Sequence, residues 1–82
     1  MLQVFSGFQY YWEDGFSIKA EIDINSDDGN AIVIKANKAG LISLANHLIE
    51  LSDDRFVTNH HIHLDESVGL EKGSVELTLM KE

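Results

Sequence analysis

The sequence predicts an α+β domain: an antiparallel or mixed sheet of four or five strands with one helix packed on one face. Three observations carry that expectation. Phe16 to Ile24 alternates apolar and polar residues strictly, the period of a strand with one face on a core and one in water. Leu41, Leu44, Ala45, Leu48 and Leu51 recur at helical spacing and form one apolar stripe. Two short alternating runs follow, His60 to Asp65 and Ser74 to Met80, each of strand length.

Taken in chain order, Phe8 to Trp12 is rich in aromatic residues and is separated from the alternating run by Glu13-Asp14-Gly15. An Asp-Gly pair supplies the positive φ that a hairpin turn needs, so a first hairpin is expected here. Asn25 to Asn30 is almost pure turn chemistry, and Ala31 to Ala36 is a β-branched run able to pair back on the strand before it. Asn37 is a good N-cap for a helix opening at Lys38-Ala39-Gly40. Ile42 and Ile49 widen the apolar stripe, and Ser43, Asn46, His47 and Glu50 are expected on the face turned to water. Leu44 and Leu48 should then be buried. Gly40 in the first turn lowers helix propensity by about 1 kcal/mol relative to alanine, which points to close backbone contact with a strand. Asp53 and Asp54 oppose the dipole at a helix C-terminus, so the helix should end before them. In the last strand Val75, Leu77 and Leu79 make the inward face, and Glu66 to Gly73 is a loop.

At 82 residues the chain has material for one modest core, so a single domain over 1–82 is expected. Cysteine is absent, which removes disulfides and thiolate metal clusters from consideration. Met1-Leu2-Gln3-Val4 lacks a basic, then apolar, leader pattern and no window approaches the ~20 apolar residues of a membrane span, so a cytoplasmic chain is expected. Fourteen acidic residues against six basic ones give a formal net charge of -8. That balance disfavours nucleic acid and anionic membrane as partners and suits a basic protein, although acidity also serves solubility alone.

Two strings are distinctive: Asn37-Lys38-Ala39-Gly40-Leu41-Ile42-Ser43-Leu44-Ala45, and His61-Ile62-His63-Leu64-Asp65 followed, after a loop containing Leu70, by Gly73-Ser74-Val75-Glu76-Leu77-Thr78-Leu79. Together they resemble the immunity protein 32 family of bacterial polymorphic-toxin systems. With the strand before the helix, the resemblance covers most of Phe16 to the C-terminus, while Met1 to Gly15 matches nothing. It implies a small α+β protein, encoded beside a toxin gene, that binds and neutralises the toxin. It supplies no catalytic residue and does not identify the toxin. Nucleases are frequent in such systems, and their basic clefts would suit an acidic inhibitor.

The residues themselves offer few alternatives. Alternation places His61, His63 and Asp65 on one face of their strand, a spacing that could hold zinc with Glu76 approaching from the next strand. A small metal-binding protein or metal-dependent enzyme on those three residues is the rival from another class; a polar face kept for solubility is the plainer account, and no metal or cofactor is expected. No carboxylate pair lies on an apolar run that would raise a pKa, and no nucleophile elbow or phosphate loop is present, so catalysis is not expected. A third reading is an acidic regulatory interaction domain. For a partner surface the candidates are Tyr11 and Trp12, aromatic anchors beside Glu13 and Asp14, with the turn carboxylates Asp27, Asp28 and Glu66. A domain short of core volume can instead bury those rings itself, and at most one of the two adjacent tyrosines should point inward.

Overall fold

A computed structural model of the chain describes residues 10–26 and 29–82, with the side chains of 25–30 outside that description. The order of elements is β1 (Ile18–Ser26), β2 (Gly29–Ala36), α1 (Lys38–Leu51), β3 (His61–Leu64) and β4 (Leu77–Met80). The class is α+β, as the sequence predicts, with the strands divided differently. They form two antiparallel sheets of two strands each, β1 with β2 and β3 with β4, rather than one sheet of four or five.

The first sheet is a long ribbon in which Ile18 faces Ala36, Ala20 faces Ile34 and Ile22 faces Ile32. Residues directly opposite share a face, so this register gathers apolar residues on one side and Lys19, Glu21, Asp23 and Lys35 on the other. There the Glu21 carboxylate sits 3.4 Å from Lys19 Nζ and 3.0 Å from Lys35 Nζ, and both lysines hold its pKa below the usual carboxylate value. In the second sheet Ile62 faces Leu79 and Leu64 faces Leu77. The segment between the sheets stitches them together: Glu71 N–H donates to Ile18 O at 2.8 Å and Val75 N–H to Ala20 O at 2.9 Å, while Ser74 Oγ accepts from Ala20 N–H at 3.1 Å. Ile18, Ala20, Leu64 and Leu70 are buried at that junction, with Trp12, Phe16, Ala36, Leu44, Val68, Leu77 and Leu79 packed around them. Val75, expected inward with Leu77 and Leu79, lies before β4 and is exposed.

No strand forms at Tyr10 to Trp12, so the hairpin expected there is absent from the described residues; Phe8 and Gln9 lie outside them. The turn itself exists. Phe16 N–H donates to Glu13 O at 3.1 Å and Gly15 holds φ 75, so the Asp-Gly chemistry redirects the chain into β1 without pairing it to what precedes.

Asn37 caps α1 as expected and does more. Its Oδ1 accepts from Gly40 N–H at 2.8 Å and from Ser17 N–H at 3.0 Å, and its Nδ2 donates to Gly15 O at 2.8 Å. One amide thus joins the turn, the start of β1 and the helix. Removing an N-cap costs about 1 kcal/mol, and each of the two further bonds, both exposed, adds about half as much. Asn37→Ala should therefore lose about 2 kcal/mol in a urea melt. Asn37→Asp keeps the acceptor but turns a carboxylate oxygen toward Gly15 O in place of the donor, a repulsion offset in part by the helix dipole, so it should fall between; equal losses would mean the cap carries nothing.

The helix stops at Leu51 with Ser52 as its C-cap, ahead of Asp53 and Asp54 as the dipole argument requires. Lys81 Nζ reaches back to donate to Ser52 O at 3.2 Å and Asp53 O at 2.7 Å, placing a cation where the helix end is negative.

Candidate functional site: the aromatic and acidic face beside the helix

The helix is turned relative to the expectation. Gly40, Ser43, His47 and Leu51 face inward; Leu44 is half-buried, while Leu41, Ala45 and Leu48 are exposed. Ser43 and His47, expected in water, are fully buried. The cause lies in residues 10–16, which run alongside the helix with no strand partner to take their N–H groups. Glu13 N–H donates to Ser43 Oγ at 2.9 Å, and Tyr11 N–H to His47 Nε2 at 3.2 Å. Donors two residues apart on an extended chain are separated by roughly 6.7 Å. Acceptors four apart on a helix are separated by about 6 Å. The helix offers its polar side chains as a substitute strand edge, giving partners to part-buried N–H groups that no strand meets.

Of the expected partner residues, Tyr11 and Trp12 belong to that segment. Trp12 is half-buried; its ring stacks on Phe16 at 4.6 Å, meets His47 edge-on at 4.5 Å and lies against Gly69, where a Cβ would collide with the indole. The indole thus packs against the core, and Gly69, at φ 87, is shaped around it. Tyr10 lies partly over Trp12 and His47; burial and the charge of Asp65 raise its pKa. Tyr11 is 60% exposed, so at most one tyrosine turns inward. Trp12, Glu13, Asp14, Lys38, Ala39 and Ile42 line an open depression of about 550 Å³. Glu66 is exposed on the loop that also carries Gly69, and its carboxylate accepts from Gly73 N–H. The loop that carries Glu66 thus meets Trp12 through Gly69. Asp27 and Asp28 lie outside the described residues. Lys38 and Ile42 were hidden from the sequence reading, since only the turned helix brings them beside Glu13 and Asp14.

On β3 the expected alternation holds: Ile62 and Leu64 are buried, His61 and His63 exposed. The two rings meet edge to face at 4.8 Å. His61 Nδ1 lies 3.1 Å from Asn59 O, and His63 Nδ1 lies 2.9 Å from Glu76 Oε2 and 3.0 Å from Thr78 Oγ1. Asp65 does not join them. Its Oδ1 accepts from Ser67 N–H at 2.9 Å, Ser67 Oγ at 2.7 Å and Val68 N–H at 3.0 Å, and the Ser67 bonds hold its pKa low. Among the described residues no group of three or more His, Cys, Asp or Glu side chains is arranged to hold a metal ion. This face is occupied by turn and cross-strand bonding.

His47 gives a pH dependence whose sign follows from its burial. Burial depresses the imidazole pKa, opposed more weakly by the Glu50 charge and the bond from Tyr11. The folded state therefore prefers neutral His47, while the unfolded chain titrates near ~6.5. The associated stability is complete above that value and is lost as pH falls from it toward the folded pKa, at ~1.4 kcal/mol for each unit of depression. The melting temperature should fall between pH 7 and 5.5, and His47→Gln should flatten that slope. An unchanged slope would remove His47 as its source.

An α+β domain results whose described polar clusters are committed to bracing, beside an open face where aromatic and acidic groups meet. The chain belongs to the immunity protein 32 family, whose model matches residues 31–81. The match spans most of β2 with α1, β3 and β4, and leaves β1 and the aromatic segment outside. No curated protein and no solved structure matches the chain. No helix among the described residues is long and apolar enough to cross a membrane.

Proposed function

We propose that this chain is a cytoplasmic, non-catalytic immunity protein that binds a cognate bacterial toxin and blocks its basic active site. Membership in the immunity protein 32 family is the observation that carries the reading. The net charge of -8 supports a basic partner rather than nucleic acid or an anionic membrane. Inhibition is steric and electrostatic: carboxylates such as Glu13, Asp14 and Glu66, with Asp27 and Asp28, which fall between β1 and β2 in the sequence, meet the toxin's cations, while Tyr11 supplies an exposed aromatic anchor. Trp12 supports that surface from below, so its truncation would perturb folding as well as binding.

The test pairs survival with kinetics. Cells producing the toxin encoded beside this gene should survive when this chain is co-expressed. Stopped-flow mixing should show association slowing about tenfold or more from low to physiological salt, because opposite fields steer the encounter. Tyr11→Ala should mainly speed dissociation. A tight complex whose association ignores salt would remove the electrostatic mechanism and leave immunity standing. Absence of a complex, with killing undiminished, would remove the immunity assignment itself.

A further inference from the structure

The apolar row of the β1–β2 ribbon does not end where the core ends. Ile18 and Ala20 are buried, and Ala36 and Ile34 lie directly opposite them. Further along the ribbon, Ile22 and Ile32 face each other with 52% and 70% of their surface in water, and Ile34 is 38% and Ile24 70% exposed. Together these four leave an apolar patch on the order of 400 Å², the size at which an exposed patch on a small domain marks a binding surface. No described element packs over it, and every charged side chain of residues 18–24 and 31–36 belongs to the opposite face by alternation.

We infer that this face is the interface of a homodimer, two ribbons packed apolar face to apolar face about a two-fold axis. Three observations select a second copy as its occupant. A basic toxin cleft needs carboxylates, and this face offers none among its described residues, although the chain as a whole carries -8; the acidic groups are left to the toxin and the neutral face to a self-contact. An isoleucine row can pack on its own copy, as an isologous interface demands. The areas also fit: two such patches remove on the order of 800 Å² of apolar surface, the dry centre of an interface whose polar rim brings it to the ~1,200 Å² of a specific contact. A chain of 82 residues with no disulfide is also of the size at which oligomerisation commonly supplements a small core.

Sedimentation velocity on the full chain from about 1 to 100 µM, a range set by ordinary association free energies, should show a dimer. Ile32→Lys should shift it to monomer at least tenfold more readily while circular dichroism and the melt of the monomer stay native, since Ile32 meets little within its own chain. Ile49→Lys, on the exposed side of the helix, should leave the dimer intact. A monomer throughout the range would overturn the inference, as would a dimer indifferent to Ile32→Lys. If the full chain is monomeric and dimerises only after residues 1–9 are deleted, its own N-terminus covers the face and the second copy does not. None of these outcomes bears on toxin binding, which is read separately.

Discussion

Gly40→Ala should destabilise the domain by about 2 kcal/mol, although alanine is the better helix former by ~1 kcal/mol. A Cβ at this position collides with the carbonyl oxygen of Ser17 and comes within 2.9 Å of Ile18 Cγ1 and 3.1 Å of Ser17 C. These are the backbone that leads into β1 and a fully buried side chain, neither of which can swing aside. Ser17 is further fixed because its carbonyl accepts from Asn37 N–H at 3.1 Å and its N–H donates to Asn37 Oδ1 at 3.0 Å. Overpacking a constrained site costs about 1 to 3 kcal/mol and sometimes more, and here it also pulls on the cap. Gly40→Val, which adds branching at the same point, should lose more than alanine. Urea melts of both decide it: a Gly40→Ala variant as stable as the parent would mean that the helix and β1 do not touch there.

The same contact shows what could be read in advance. Asn37 and Gly40 each have a local meaning, a cap and a missing side chain, so the start of α1 and its pressure on β1 were legible residue by residue. So were the strand over Ile18 to Ile24, the alternation of His61 to Leu64 and the stop before Asp53. The rotation of the helix was not. Its hydrophobic pattern favours Leu41, Ala45 and Leu48, yet the chain buries Ser43 and His47, which accept from the N–H groups of Glu13 and Tyr11, 30 and 36 positions away. Periodicity weighs side chains one element at a time and has no view of an unpaired backbone elsewhere. The division into two sheets was hidden for a similar reason: each strand is locally sound, and which strand pairs with which is decided by non-local contact.

Within the candidate site, Asp65 was misplaced because alternation was extended one residue past the end of β3. It opens a turn instead, in which Val68 and Leu70 N–H groups return to its carbonyl at 3.0 Å each, and its carboxylate serves that turn. The aromatic anchors were found by composition, but only packing separates Tyr11, left in water, from Trp12, closed against Gly69 and Phe16.

Leu64→Ala should bring the largest loss of any single truncation. Leu64 is fully buried at the end of β3, in the cluster with Ile18, Ala20 and Leu70 through which the second sheet holds the first. Deleting its isobutyl group removes contacts to both sheets, and backbone bonds on each side hold the walls, so the space cannot collapse readily. Such sites lose about 2 to 5 kcal/mol, and a domain of this size has on the order of 5 kcal/mol in total. Leu64→Ala should thus be largely unfolded at 37 °C or show a strongly lowered urea midpoint. Leu48→Ala is the contrasting control. Leu48 belongs to the same apparent pattern, yet it is 46% exposed and should lose less than about 1 kcal/mol, within the range of surface substitutions. The pair tests the orientation of the helix as well as the place of the core: if Leu48→Ala proved as damaging as Leu64→Ala, α1 would present its leucine stripe inward and the bonds from Tyr11 and Glu13 would have to be reassigned.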